Sequence, residues 1–151
     1  MTHSFCDILL VEDNPVDIEL TLRALKKNQV TNRITVARDG EEALDYLFNR
    51  GKYAGNQLQR LPRMILLDLK LPKVDGFGVL QEIKGHRVLQ IIPVIILTSS
   101  NQEIDLLKCY RLGANSYIVK PVDFDIFMNT VKHLGEYWFK INQIPETPVW
   151  E

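Results

Sequence analysis

Short apolar runs recur along the chain, and polar residues close each of them. Ile8 to Val11 runs into Glu12, Asp13, Asn14 and Pro15. Further runs lie at 33–37, 64–67, 93–97 and 117–119. Apolar runs this short, without polar alternation, read as strands buried on both faces. The intervening segments carry apolar residues at helical spacing and predict helices over 15–28, 41–49, 77–88, 101–112 and 123–141. Asn14 is placed as the N-cap of the first helix, with Pro15 as its first residue, and Asp75 as the N-cap of the third. Gly76 reads as a turn or helix-start residue. Residues 51–62, with Gly51, Gly55 and Pro62, form a loop that is long for a compact domain.

Five strand–helix units in succession predict an α/β fold: a doubly wound (βα)5 sheet, flavodoxin-like, with parallel strands in the order 2-1-3-4-5. The length of 151 residues with 46% apolar positions supports one domain. We expect that domain over 1–141, followed by an irregular tail over 142–151 and no separate effector domain. A net charge of −1 gives no electrostatic footprint for nucleic acid or an anionic membrane. No run approaches the roughly 18 apolar residues of a membrane span, and the first residues lack the pattern of a signal peptide. Cys6 and Cys109 form no close pair, so free thiols in a reducing cytoplasm are expected. His3, His86 and His133 are scattered without ligand spacing.

Candidate chemistry lies where strands stop: Glu12 and Asp13, Asp68, Thr98, and Lys120. In this strand order the first and third strands are neighbours at the reversal point, where open α/β sheets form their crevice. Asp13 and Asp68 would face each other across it. Carboxylates packed together raise one another's pKa, and a divalent cation relieves that repulsion. Oxygen donors without sulfur or imidazole suit Mg²⁺ or Mn²⁺. Taken singly, each acid reads more readily as a solvated loop residue or a helix cap.

Taken together, V-E-D-N at 11–14, L-L-D-L at 66–69, P-K-V-D-G at 72–76, T-S at 98–99 and K-P at 120–121 resemble the receiver domain of two-component response regulators. More narrowly, the N-P after the acidic pair, the 51–62 loop, and Tyr137-Trp138-Phe139 with Pro145 resemble the single-domain regulators of cyanobacterial phytochromes. The resemblance implies that Asp68 is the phosphoacceptor for a sensor histidine kinase, in the narrower match a phytochrome. It implies Glu12, Asp13, Asp68 and the Lys70 backbone carbonyl as metal ligands. Lys120 and Thr98 would contact the phosphoryl group, Thr98 and Tyr117 would act as switch residues, and Pro121 would follow a cis peptide bond. Such a protein catalyses only its own phosphotransfer and dephosphorylation, and passes the signal to an unidentified downstream protein. The main competing reading is a receiver kept as a phosphorylation-independent scaffold. A flavodoxin-type carrier would need a phosphate loop where Glu12-Asp13 stand. A haloacid-dehalogenase-type phosphatase would need a second Asp at Lys70.

Two surfaces are expected to meet other chains. On the first helix Val16/Leu20/Ala24 and Ile18/Leu22/Leu25 make two apolar stripes. One of these would dock a kinase, unless both belong to a broad buried face. A homodimer is expected through Leu106, Tyr110, Tyr117, Tyr137 and Trp138. In that reading Ile104 and Leu107 serve the core, Phe124 helps the last helix cover the sheet, and the aromatic end protrudes. The competing arrangement folds the tail back over its own domain.

Overall fold

The protein, described here from a computed structural model, is defined over residues 7–27, 33–55 and 61–145. Its elements are β1 (Ile8–Val11), α1 (Pro15–Lys27), β2 (Ile34–Ala37), α2 (Gly40–Leu47), β3 (Met64–Leu67), α3 (Gly76–Lys84), β4 (Val94–Thr98), α4 (Glu103–Arg111), β5 (Ser116–Val119) and α5 (Phe124–Glu136). Short 3-10 turns occupy Gly51–Tyr53 and Leu89–Ile91, and a π-helical turn covers Tyr137–Ile141. The five strands are parallel, in the order β2-β1-β3-β4-β5. His3, Cys6 and the middle of the 51–62 loop lie outside the described residues.

The sheet divides the interior into two cores, because successive strand residues point to opposite faces. Leu9, Val11, Ile65, Leu67, Val94 and Ile96 face α2, α3 and α4. Ile8, Leu10, Met64, Leu66 and Ile95 face α1 and α5. The central strands β1, β3 and β4 are buried along their whole length, whereas β2 and β5 are partly open, as edge strands. No helix among the described residues is long and apolar enough to cross a membrane.

Several sequence expectations change. The third helix ends at Lys84 rather than near residue 88. Gly85 caps it, and the Lys84 ammonium donates to the carbonyls of Gln90 (3.0 Å) and Ile92 (2.8 Å), holding the next turn off the helix axis. The regular part of the last helix stops at Glu136, where the π-helical turn begins. On α1 the broad buried face prevails: Ile18, Thr21, Ala24 and Leu25 are buried, Leu20 and Leu22 are half-buried, and Val16 is exposed. On α4 only Cys109 is fully buried. Ile104 (73% exposed) and Leu107 therefore point outward instead of into the core, because the helix is seated through Cys109 and the half-buried Leu112 that follows it. Phe124, at the first position of α5, is also exposed, and Phe127, Val131 and Leu134 cover the sheet without it.

The aromatic end does not protrude as a block. Trp138 and Phe139 pack against the α1/α5 core, and only Tyr137 and Ile141 remain exposed. Ile144 and Pro145 then lie beside Arg63, Ile92 and Pro93. The tail as far as residue 145 is thus folded back, against the ends where β3 and β4 begin.

Candidate functional site

Each candidate residue is delivered by a strand end. β1 and β3 pair in register from Ile8↔Met64 to Val11↔Leu67. Glu12 and Asp68 thus follow level positions on neighbouring strands, and carboxylate oxygens of Glu12, Asp13 and Asp68 lie within 4.8 Å of one another. Glu12 and Asp68 are buried, while Asp13 is exposed. Asn14 caps α1, its side-chain oxygen accepting the N–H groups of Val16 (2.9 Å) and Asp17 (3.2 Å). Its own N–H donates to Glu12 Oε2 at 3.2 Å. Asp75 caps α3 by accepting the Gly78 N–H, and the Leu69 N–H donates to Asp68 Oδ1 at 2.7 Å.

Lys120 enters from the end of β5. Its side chain is 8% exposed, and its ammonium donates to Glu12 Oε1 (2.5 Å), Asp17 Oδ2 (2.8 Å) and Asp68 Oδ2 (3.0 Å). No peptide bond among the described residues is cis, so the expected cis bond before Pro121 is corrected to trans. Trans is the ordinary isomer of an X-Pro bond, and here it already carries the ammonium to Asp68. Asp17 was not anticipated from the sequence. Its signal is its place one helical turn after Asp13, on the first turn of a helix that starts at the site.

The electrostatics follow from burial and crowding. Burial pushes the Glu12 carboxyl up to about 7 and nearby Asp68 adds to the rise, against hydrogen bonding to Lys120 that lowers it. For Lys120, burial opposes the charge, but hydrogen bonds to Asp17 and Glu12 and the field of Asp68 hold its pKa above the ordinary lysine range. One ammonium facing three carboxylates leaves negative charge uncompensated even before the exposed Asp13 is counted. An all-oxygen donor set of this kind fits a hard divalent cation. Lys70 is exposed, and with Asp13, Pro72, Asp75, Ser100 and Asp105 it lines an open cleft beside the carboxylates.

Thr98, buried at the end of β4, and Tyr117 on β5 converge on Ser100. The Thr98 hydroxyl accepts the Ser100 N–H at 3.4 Å, and the Tyr117 hydroxyl donates to the Ser100 carbonyl at 3.0 Å. Ser100 Oγ in turn donates to Asp105 Oδ2 at 2.6 Å and accepts the Gln102 N–H. The two expected switch residues are therefore joined through a serine that sequence reasoning passed over, at the start of α4. The residues expected at a dimer face are not drawn together as one patch. Tyr110 and Tyr137 are exposed, Leu106 and Tyr117 are half-buried, and Trp138 is turned into its own core.

Comparison with known proteins agrees with this geometry. The profile of the response regulator receiver domain matches residues 8–132. A probable methanogenesis regulatory protein, FilR2, of Methanothrix harundinacea is 46% identical over 91% of this chain and 86% of its own. Response regulator Rcp1 of Synechocystis is 36% identical over 91% and 92%. Among solved structures, the phosphorylated cyanobacterial phytochrome response regulator RcpA superposes with a TM-score of 0.85 at 40% identity, covering 95% of this chain and 99% of that one. The Mn²⁺-bound form of Rcp1 gives a TM-score of 0.85 at 36% identity over 91% and 97%. The bacteriophytochrome response regulator AtBRR gives 0.72 at 52% identity over 95% and 100%.

Proposed function

Because the chain belongs to the response regulator receiver domain family, we propose that it accepts a phosphoryl group on Asp68 from a sensor histidine kinase and uses it to switch protein contacts. The observation that carries this reading is the Lys120 ammonium 3.0 Å from an Asp68 carboxylate that also belongs to the Glu12, Asp13 and Asp68 group. In the transfer, an Asp68 carboxylate oxygen forms a bond to phosphorus. The P–N bond of the phosphohistidine breaks, and its electron pair stays on the imidazole nitrogen. The product is an acyl phosphate. Glu12, Asp13 and Asp68, with the Lys70 carbonyl, would hold Mg²⁺ or Mn²⁺, which supplies charge neutralisation at the equatorial phosphoryl oxygens. Lys120 contributes a compact positive charge on the same oxygens. Thr98 hydrogen-bonds the phosphoryl group after transfer, and Tyr117 follows through their shared contact with Ser100.

The protein catalyses nothing beyond its own phosphotransfer and dephosphorylation, and acts in the cytoplasm. A phytochrome-type kinase is favoured as donor by the likeness to RcpA, Rcp1 and AtBRR. A second copy of the chain is proposed to pair through the outward side of α4 and the start of α5. Phosphate incorporation from acetyl phosphate tests the central reading. We expect Mg²⁺-dependent incorporation that is abolished in Asp68→Asn. Label persisting in that variant would assign the acceptor elsewhere, and a wild-type protein that binds Mg²⁺ but never takes label would favour the phosphorylation-independent scaffold.

A further inference from the structure

An ammonium group has three protons to donate, and at Lys120 each has its own carboxylate: Glu12, Asp17 and Asp68. Glu12 and Asp68 belong to the group that could hold a metal ion, and Asp17 does not. A divalent cation and the lysine therefore draw on the same two carboxylates, while Asp17 serves the lysine alone. Its position follows from local structure. Asn14 and Pro15 start α1 directly at the site, and Asp17 stands in the first turn. An acidic residue there is ordinarily explained by the helix dipole. Here its carboxylate instead reaches 2.8 Å across to β5's lysine, and its side chain is only 28% exposed.

We propose that Asp17 is a positioning residue that tethers the Lys120 ammonium toward α1, so that the lysine does not settle fully on Glu12 and Asp68 and compete with the metal ion for them. The inference deepens the reading of this site as a metal-dependent phosphoacceptor. With Asp17 in place, the positive charge stays within reach of Asp68 yet leaves carboxylate lone pairs open. Without it, the ammonium has two acceptors left, both of them metal ligands, and the cation must displace it from them.

Asp17 also carries charge, so its direct field on a cation must be separated from the tether. Asp17→Asn and Asp17→Ala remove the same charge, but only asparagine keeps an oxygen that can accept from Lys120. Mg²⁺ affinity is therefore measured by calorimetry, without phosphodonor, for both variants in the native background and again in Lys120→Met. We expect Asp17→Ala to bind Mg²⁺ on the order of 5-fold more weakly than Asp17→Asn while Lys120 is present, and the two to bind alike in Lys120→Met, since coupling between contacting residues vanishes when one is removed. A second readout needs no metal. The ¹⁵Nζ–H signal of Lys120, protected from exchange by its three acceptors, should persist in Asp17→Asn and vanish in Asp17→Ala. Equal affinities of the two variants with Lys120 present, or the same gap in both backgrounds, would overturn the tether. Absence of Mg²⁺ binding in the wild-type protein would overturn the metal reading and the tether with it.

Discussion

Gly76 shows how a single residue can shape the site without touching the chemistry. A Cβ built there would lie 2.3 Å from the Asp68 carbonyl oxygen and 2.6 Å from Leu69 Cα, and both are backbone atoms that cannot step aside. The Gly76 N–H meanwhile donates to the Leu69 carbonyl at 2.8 Å. The glycine thus lets the start of α3 press against the loop that carries Asp68. Gly76→Ala should cost about 1–3 kcal/mol of stability, as overpacking does, and should also weaken Mg²⁺ binding. Urea unfolding and calorimetry check both, and an unchanged protein would mean that the loop yields freely. The sequence made Asp13, Asp68 and Lys120 legible because each ends a strand. It left Gly76 as an ordinary turn glycine and gave Asp17 no role. Their roles depend on atoms that only the folded chain brings within 3 Å.

At the scale of elements, the strands and their order were readable because uninterrupted apolar runs have few alternatives to a doubly covered parallel sheet. Helix ends and helix rotation were less so. The stop at Lys84 depends on carbonyls of the following turn, and the seat of α4 depends on Cys109 and the half-buried Leu112 that follows it. One junction outside the site is stabilised by charge. Glu42 on α2 accepts from the Arg38 N–H (3.0 Å) and the Tyr53 hydroxyl (2.9 Å), and pairs with Lys52 at 2.9 Å. Partial burial raises its pKa, but these partners outweigh burial and hold it below 4.5. Because the folded value lies below the unfolded one, the stabilisation is fully present above pH 4.5 and is lost as pH falls through the folded value. Glu42→Gln should therefore cost on the order of 1 kcal/mol at pH 7, and the gap to wild type should shrink in urea titrations below pH 4.5. A gap that widens in acid would refute the assignment.

Over the whole molecule, α4, the end of β5 and the start of α5 leave several large apolar side chains exposed, which marks an interaction surface where such residues adjoin. Ile104, Leu107 and Tyr110 on α4, Val119 on β5, Val122, and Phe124 and Ile126 on α5 are all exposed. A two-fold pairing would cover this surface on both copies at once. Analytical ultracentrifugation at micromolar concentration should find a dimer, and Ile104→Asp with Leu107→Asp should convert it to monomer without loss of fold by circular dichroism. A wild-type monomer with and without phosphorylation would remove the dimer. A dimer that survives the double change would move its interface elsewhere.

The folded-back tail has an optical consequence. Helix α5 runs 13 residues from the Lys120 end of the sheet to the opposite end, a span of about 20 Å, and Trp138 lies just beyond it against the α1/α5 core. The only other tryptophan in the chain, Trp150, lies outside the described residues. In a Trp150→Phe protein, a paramagnetic ion such as Mn²⁺ held by Glu12, Asp13 and Asp68 would be too distant from the remaining indole for contact quenching. Emission that stays level through a Mn²⁺ titration is the expected result. Emission that changes only on phosphorylation or with protein concentration would then report packing at the far end of the molecule. Tryptophan emission would thus pass over ion binding and report only the packing around Trp138.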